Sequence, residues 1–286
     1  MPPQSPSRSV VITGVSTGIG WATAKALVAR GYRVFGSVRK NEDGERLTRE
    51  FGANFVPLVF DVTDSAAITA ARQQVQKALG TEGLGGLINN SGVAAGGPLL
   101  LQDPALFRRN FEVNVFGLLA VTREFAPLLG ATEYPQSLPG RILNISSVAG
   151  KLAVPFMGGY VSSKHAVEGL SHVLRRELLL YGIDVIIVGP GAVNTPIWDK
   201  GDDIGPYRNT PYFKPLAGFL AYFVKEGKKG FPPEEFGEKI ATIFEAEKPK
   251  TRYALVPHKF AGWVLPRWLP DRTLDKLIGK QTGLLK

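Results

Sequence analysis

Val10-Val11-Ile12-Thr13-Gly14-Val15-Ser16-Thr17-Gly18-Ile19-Gly20 is the stretch that decides how this chain folds. Three β-branched apolar residues suit a buried strand, and the glycines that follow permit a tight turn. Trp21, Ala24, Leu27 and Val28 then recur at helical spacing. A strand that enters a helix through such a turn presents free backbone amides at the helix N-terminus, where anionic groups are favoured. A glycine-rich turn alone is weak evidence, because many are ordinary loops. Its place between a strand and a helix is what points to a phosphate-bearing ligand, lying against Gly14, Ser16, Thr17, Gly18, Ile19 and Gly20.

Outward from this unit the alternation repeats. Tyr32–Val38, Phe55–Phe60, Leu84–Asn89, Arg141–Ser146 and Asp184–Val188 read as strands. Helical patterns cover Ala66–Leu79, Leu106–Leu129, Tyr160–Tyr181 and Pro233–Glu247. Strands joined by crossovers of this length imply an α/β fold. We expect a doubly wound, Rossmann-type parallel sheet with helices on both faces and ligands at the carboxyl ends of its strands. No composition shift marks a second domain, so residues 1–286 are read as one. Within it, 1–8 are expected to be a flexible N-terminus and 195–233, rich in Pro, Gly and aromatics, a substrate loop. Residues 250–286 are expected to form a basic amphipathic extension.

The end of the second strand bears on the ligand. A site that prefers NAD places a carboxylate there for the ribose hydroxyls. Here Val38 is followed by Arg39 and Lys40. An arginine fork grips a 2′-phosphate that a carboxylate would repel. NADP(H) is therefore expected, with NAD(H) as the alternative.

Tyr160-Val161-Ser162-Ser163-Lys164 sets Tyr and Lys four apart on one helical face. A phenol near its usual pKa of about 10 is a poor base, and a neighbouring ammonium favours its ionised form. Tyr-x3-Lys is common on solvated helices, but here it has company. Ser146-Ser147 ends a strand thirteen residues upstream, and Asn114 lies in the preceding long helix. Ser146 and Ser147 point to opposite faces if both are in strand geometry. A serine hydroxyl can hold a substrate oxygen as it gains charge. A serine hydrolase is excluded by the lack of a Gly-x-Ser-x-Gly elbow around Ser147 and of an acid–His pair after it.

These residues resemble the short-chain dehydrogenase/reductase family in its compact single-domain branch. The resemblance rests on Thr13-Gly14-x3-Gly18-x-Gly20, Asp61-Val62, Asn89-Asn90-Ser91-Gly92, Asn114, Ser147, Tyr160-x3-Lys164 and Pro190-Gly191-x-Val193-x-Thr195. It implies Tyr160 as general acid/base and Ser147 as partner of the substrate oxygen. Lys164 would hold the nicotinamide ribose and lower the Tyr160 pKa, and Asn114 would help to position a relay water. Asp61 and Val62 would flank the adenine, with Asn90, Ser91 and Gly92 along the adenosine side. Pro190, Val193 and Thr195 would lie near the carboxamide. The family usually carries Ala where Ser91 stands.

Composition narrows the rest. The 286 residues include no cysteine and three histidines (His165, His172, His258), none at metal-ligand spacing, so no metal is expected. His165 and His172 share the Tyr160 helix and are read as surface or interface residues. Net charge is +9, of which Lys250–Lys286, with eight Lys/Arg against two Asp/Glu, supplies +6. Basic charge alone suggests a nucleic-acid binder, but no recognisable module accompanies it, so none is expected. Phe260–Leu285 mixes apolar anchors with cations. Packing on the domain or on another subunit is favoured there over peripheral contact with a membrane. No apolar leader or spanning run is visible, and the expected location is cytoplasmic, as a homodimer or homotetramer. The leading reading is an NADP(H)-dependent oxidoreductase acting on a lipophilic secondary alcohol, ketone or aldehyde, weaker similarity near Glu234-Glu235 and Arg252-Tyr253 supplying the word lipophilic. The alternative is a non-catalytic NADP-binding sensor or scaffold on the same fold.

Overall fold

A computed structural model of the chain describes residues 7–133, 138–194 and 204–285. Seven strands form one parallel sheet: β1 (Ser9–Ile12), β2 (Arg33–Val38), β3 (Phe55–Val59), β4 (Gly86–Asn89), β5 (Arg141–Ile145), β6 (Asp184–Pro190) and β7 (Arg252–Leu255). Their order is β3-β2-β1-β4-β5-β6-β7. The chain starts in the middle, winds outward through β2 and β3, and returns to the other side of β1 with β4. Between β1 and β4 the winding reverses, and the loops that leave their carboxyl ends diverge to open a crevice.

Alternation along the strands divides the core into two layers. Val10 and Ile12 face α1 (Gly18–Ala29), where they meet Leu27 and the side chains of Phe236, Ile240 and Phe244. Val11, between them, faces the opposite layer with Phe35, Leu58 and Leu87, against Val75, Val121 and Phe125. The helices are α2 (Asn41–Phe51), α3 (Ser65–Leu79), α4 (Pro104–Phe111), α5 (Leu118–Phe125), α6 (Gly158–Glu177), α7 (Phe213–Lys228), α8 (Pro233–Glu245), α9 (Leu265–Trp268) and α10 (Asp271–Thr282). The helix α8 lies against α1, close enough that a methyl at Gly237 would come within 2.3 Å of the Ala22 carbonyl oxygen.

Several expectations from sequence are corrected. The long helix read over Leu106–Leu129 is broken in two by a π-turn at Glu112–Gly117 and ends in a 3₁₀ turn at Ala126–Leu129, where Pro127 supplies no amide. The stretch 195–233 is not all loop, because α7 fills much of it; residues 195–203 lie outside the described residues. The strand β7 adds Arg252–Leu255 to the sheet beside β6, so the C-terminal extension begins inside the domain. At the N-terminus Arg8 is tied in: its carbonyl accepts from Arg33 N at 2.8 Å, and its guanidinium donates to the Arg30 carbonyl at 3.2 Å.

Candidate active site

The glycine-rich turn is built by backbone geometry. Gly14 and Gly18 hold φ of +70° and +63°, a region that a side chain rarely tolerates. A methyl on Gly20 would lie 2.2 Å from the Gly14 carbonyl oxygen and 2.4 Å from Asn90 Nδ2. Gly14 N donates to Ser37 Oγ at 2.9 Å, which anchors the turn to β2. Thr17 is the N-cap of α1 but makes no side-chain cap bond, and the first turn of α1 holds no acidic residue. Those unclaimed amides, with the hydroxyls of Ser16 and Thr17 beside them, suit a phosphate. Overpacking of this kind costs about 1–3 kcal/mol. Gly20→Ala should therefore lower Tm by about 2–12 °C, at about 2–4 °C per kcal/mol, with loss of nucleotide binding. An unchanged melting curve would refute the close-packed turn.

Asn90 and Ser91 prove to be wired into this turn. The amides of both donate to Thr13 Oγ1 at 2.9 Å, and Asn90 Nδ2 donates to the carbonyls of Thr13 (2.8 Å) and Gly14 (3.0 Å). Ser37 was not singled out from sequence, and Thr13 entered only as the first residue of the glycine-rich motif. Short hydroxyl side chains at strand ends give no signal there, since their importance lies in which amides they face.

Arg39 and Lys40 are exposed where β2 ends, and Lys40 is the N-cap of α2. Ser16 O accepts from Arg46 Nη2 on α2 at 2.7 Å, which brings a third cation to the turn. Asp61 follows β3. Burial opposes its ionisation, but donation from Thr63 N (3.0 Å) and Oγ1 (2.8 Å), and the field of Arg39 and Arg109, outweigh that and hold the carboxyl below its ordinary range. Val62 packs against Gly117 in the π-turn, where a methyl would touch its Cγ2 at 2.7 Å.

Farther along the crevice, the ends of β5 and β6 meet α6. Ser147 Oγ accepts from Ala149 N at 3.1 Å and lies 3.5 Å from the Pro190 carbonyl oxygen. Burial pushes the Tyr160 phenol up, and the neighbouring Ser147 hydroxyl acts the other way without reversing it. This is opposite to the expected lowering by Lys164. The ammonium is 5.8 Å from the centre of the Tyr160 ring and donates instead to the Ile145 carbonyl at 2.9 Å. Burial brings Lys164 itself down to about 8, against an opposing pull from Glu168. Ser146, one residue from Ser147, is turned into the protein and its hydroxyl has no hydrogen-bond partner.

Asn114 sits in the π-turn and is buried. Its Oδ1 accepts from Val93 N at 2.8 Å, while Nδ2 donates to Val93 O and to Ser163 Oγ, both at 2.9 Å. Both ends of the amide are thus engaged, tying the loop after β4 to α6. Gly92 lies beside them, and a methyl there would stand 3.2 Å from Asn114 Oδ1 and 3.6 Å from Lys164 Nζ. Val193 is buried and bridges in parallel to Phe231. Thr195 lies outside the described residues.

An apolar wall adjoins Tyr160. It is formed by Phe156, Met157, Val161, Tyr207, Leu216 and Phe219, bringing α7 onto the crevice. Phe156 holds a φ of +64°, a strained conformation for an aromatic residue, and its ring packs 5.6 Å from Phe219 and 6.4 Å from Tyr212.

The arrangement has counterparts. A family profile described as short chain dehydrogenase matches residues 8–203. The chain is 40% identical over 274 residues to the NADPH-dependent 3-dehydrocapnine reductase of Ornithobacterium rhinotracheale, covering 96% of each. It is 31% identical over 271 residues to the 3-ketodihydrosphingosine reductase of Bacteroides thetaiotaomicron, covering 93% of this chain and 94% of that one. Among solved structures, a short-chain dehydrogenase from Streptomyces avermitilis superposes with a TM-score of 0.77 at 27% identity, covering 97% of this chain and 96% of that one. A parallel sheet of this order, a glycine cradle on its first turn and matches of this length lead to one assignment: the chain belongs to the short-chain dehydrogenase family.

Proposed function

We propose that this protein is an NADP(H)-dependent oxidoreductase that reduces a lipophilic ketone to a secondary alcohol, with Tyr160 as general acid/base. The observation that carries the reading is the Tyr160 phenol beside the Ser147 hydroxyl, one helical turn from buried Lys164, at the strand ends beside an apolar wall. The naming of the Ornithobacterium and Bacteroides relatives as reductases, one of them NADPH-dependent, supports it.

The cofactor fits the residues present. The turn at Gly14, Ser16, Thr17, Gly18, Ile19 and Gly20 takes the phosphates, and Asp61, Val62, Asn90, Ser91 and Gly92 border the adenosine. Lys164 would hold the nicotinamide ribose, with Pro190 and Val193 toward its carboxamide end. When bound, NADPH supplies the hydride. Ser147 donates to the substrate oxygen and steadies the charge that grows there. Tyr160, kept protonated by burial, gives its hydroxyl proton to the same oxygen. The apolar wall excludes water and receives the hydrocarbon part of the ketone. An aldehyde, or an alcohol in the reverse direction, uses the same contacts.

A non-catalytic sensor on this fold would have no use for a buried lysine and a desolvated phenol side by side, both costly to bury. Incubation with NADPH and a panel of aldehydes, aliphatic ketones and steroids, following cofactor absorbance, separates the two. Consumption with an apolar ketone supports the enzyme. Tight NADPH binding with no turnover across the panel supports the sensor.

Preference for the 2′-phosphate rests on Arg39, with Lys40 and the hydroxyls of Ser16 and Thr17. A charge-assisted hydrogen bond contributes about 1.5–3 kcal/mol, or about one to two decades of affinity. Arg39→Leu, at an exposed site that tolerates it, should weaken NADPH by at least about tenfold and leave NADH within about twofold. Fluorescence titration at fixed salt measures both; equal loss for the two cofactors would remove Arg39 from phosphate recognition. Val38 is a poor place for an introduced carboxylate, because its side chain is buried in the core.

A further inference from the structure

Helix α6 carries a third polar residue on the face that bears Tyr160 and Lys164. Glu168, one further turn along, is 1% exposed. A carboxylate so deep in a domain must be paired and hydrogen-bonded. Arg252, the first residue of β7, clasps it with a fork: Nε donates to Oε1 at 3.1 Å and to Oε2 at 2.9 Å, and Nη2 donates to Oε1 at 2.9 Å. The same Nη2 reaches the backbone carbonyl of Ser147 at 3.3 Å. Two glycines make room for the pair. A methyl on Gly189 would lie 2.6 Å from Arg252 Nη2, and one on Gly150 would lie 2.9 Å from Glu168 Cγ. The guanidinium also stacks on Trp263, 4.3 Å from the ring centre, which ties it to the C-terminal extension.

We propose that Glu168 and Arg252 are positioning residues for the reaction: Arg252 fixes the backbone of Ser147, and Glu168 supplies the negative field that keeps Lys164 an ammonium. The proposal rests on the reading of Ser147, Tyr160 and Lys164 as the reacting centre. Neither residue touches the crevice chemistry itself. The groups facing Glu168 are Lys164 and His172 on its own helix, Lys151 beyond β5 at 3.7 Å, and Arg252 on β7. Of these, Lys164, 5% exposed, is the one the proposed reaction uses, and it lies one turn from Glu168 on the same helix. Burial draws its proton off at about 8, and the Glu168 carboxylate is the influence that resists. Removing that carboxylate should let Lys164 lose its proton at lower pH.

The test uses the full-length protein with NADPH as the probe, titrated by fluorescence across a pH series. Affinity should fall as pH rises through the Lys164 pKa. In Glu168→Gln that fall should begin at least about half a pH unit lower, and Glu168→Asp, which keeps the charge, should restore most of the difference. Glu168→Gln leaves Arg252 buried without its partner and risks misfolding. The double variant Glu168→Gln/Arg252→Met removes both charges at similar volume, and the lowered pH limb should persist in it. Turnover of acetophenone, or of the best ketone of the panel, should drop about tenfold in the double variant at saturating NADPH, because Ser147 loses its backbone tether. A purely structural pair would change Tm and yield but leave the pH limb in place. Folded variants with an unshifted limb and wild-type kcat would overturn the proposal. Failure of the wild type to bind NADPH at all would sink the cofactor reading as well, so the two failures are told apart.

Discussion

Tyr160→Phe should lower kcat for ketone reduction by about 10²–10⁴-fold, the range that a positioned general acid supplies. The substitution deletes one oxygen and leaves the ring against Phe156, Val161 and Leu216 in the apolar wall. NADPH affinity should therefore stay within about twofold of wild type, because the phenol is assigned to the substrate oxygen and not to phosphate recognition. Stability should change little. Loss of one hydroxyl costs about 1 kcal/mol at most, and Ser147 Oγ keeps its bond from Ala149 N. Steady-state kinetics and a fluorescence titration on one preparation check both halves. A variant retaining more than about a tenth of the wild-type rate would show that the proton comes from elsewhere.

Lys164→Met should damage binding and rate together. Loss of a charge-assisted contact to the ribose should weaken NADPH by about tenfold or more, and a less firmly placed nicotinamide should slow turnover by at least about a further tenfold. The pH behaviour is the sharper test. With Lys164 at about 8, wild-type reduction should hold below that pH and decline above it, and the variant should lack this decline.

The fold should survive the change. The Lys164 ammonium is lowered from 10.5 to about 8 on folding, so the unfolded chain binds more protons than the folded one between those values. The burial cost, about 3 kcal/mol, is therefore full below pH 8 and fades as pH rises towards 10.5. Methionine escapes that cost while leaving the Ile145 carbonyl without its donor, a loss of similar size. Thermal melts at neutral pH should agree within a few degrees. An inactive variant with a wild-type melting curve assigns the loss to chemistry; retained activity with an unaltered pH profile would remove Lys164 from the mechanism.

Six of the seven strands were legible because each is a short apolar run beside glycine or a helical pattern. The strand β7 was not: its four residues are only half-buried, and they lie in a basic stretch that reads as an extension. The helix α2 was missed because Leu47 and Phe51 give its charged sequence little apolar periodicity. The helix α7 was hidden by Pro215, Gly218 and Gly227; Pro215 falls in its first turn, where a missing amide costs nothing. At the candidate site, spacing picked out Ser147, Tyr160 and Lys164, which the structure brings to one end of the sheet. It did not find Glu168 or Arg252, since their pairing joins a helix to a strand 84 positions away. A carboxylate set among small and apolar residues on the Tyr160 face was the available signal.

The packing of α8 on α1 and the arrival of Arg252 on the last strand also govern how the molecule is made. Sheet strands that neighbour the first helix are finished early in synthesis, but the side chains that cover them, Phe236, Ile240 and Phe244, come from near the end. A nascent chain that has reached β6 carries the whole glycine-rich turn and the Tyr160 helix, yet leaves one apolar side of α1 bare and Glu168 without its guanidinium clasp. Contacts that span so much of the sequence slow folding and expose sticky intermediates. Ribosome-released fragments ending before residue 233 should therefore depend on chaperones to stay in solution, and maturation of the crevice should be a late, post-translational event.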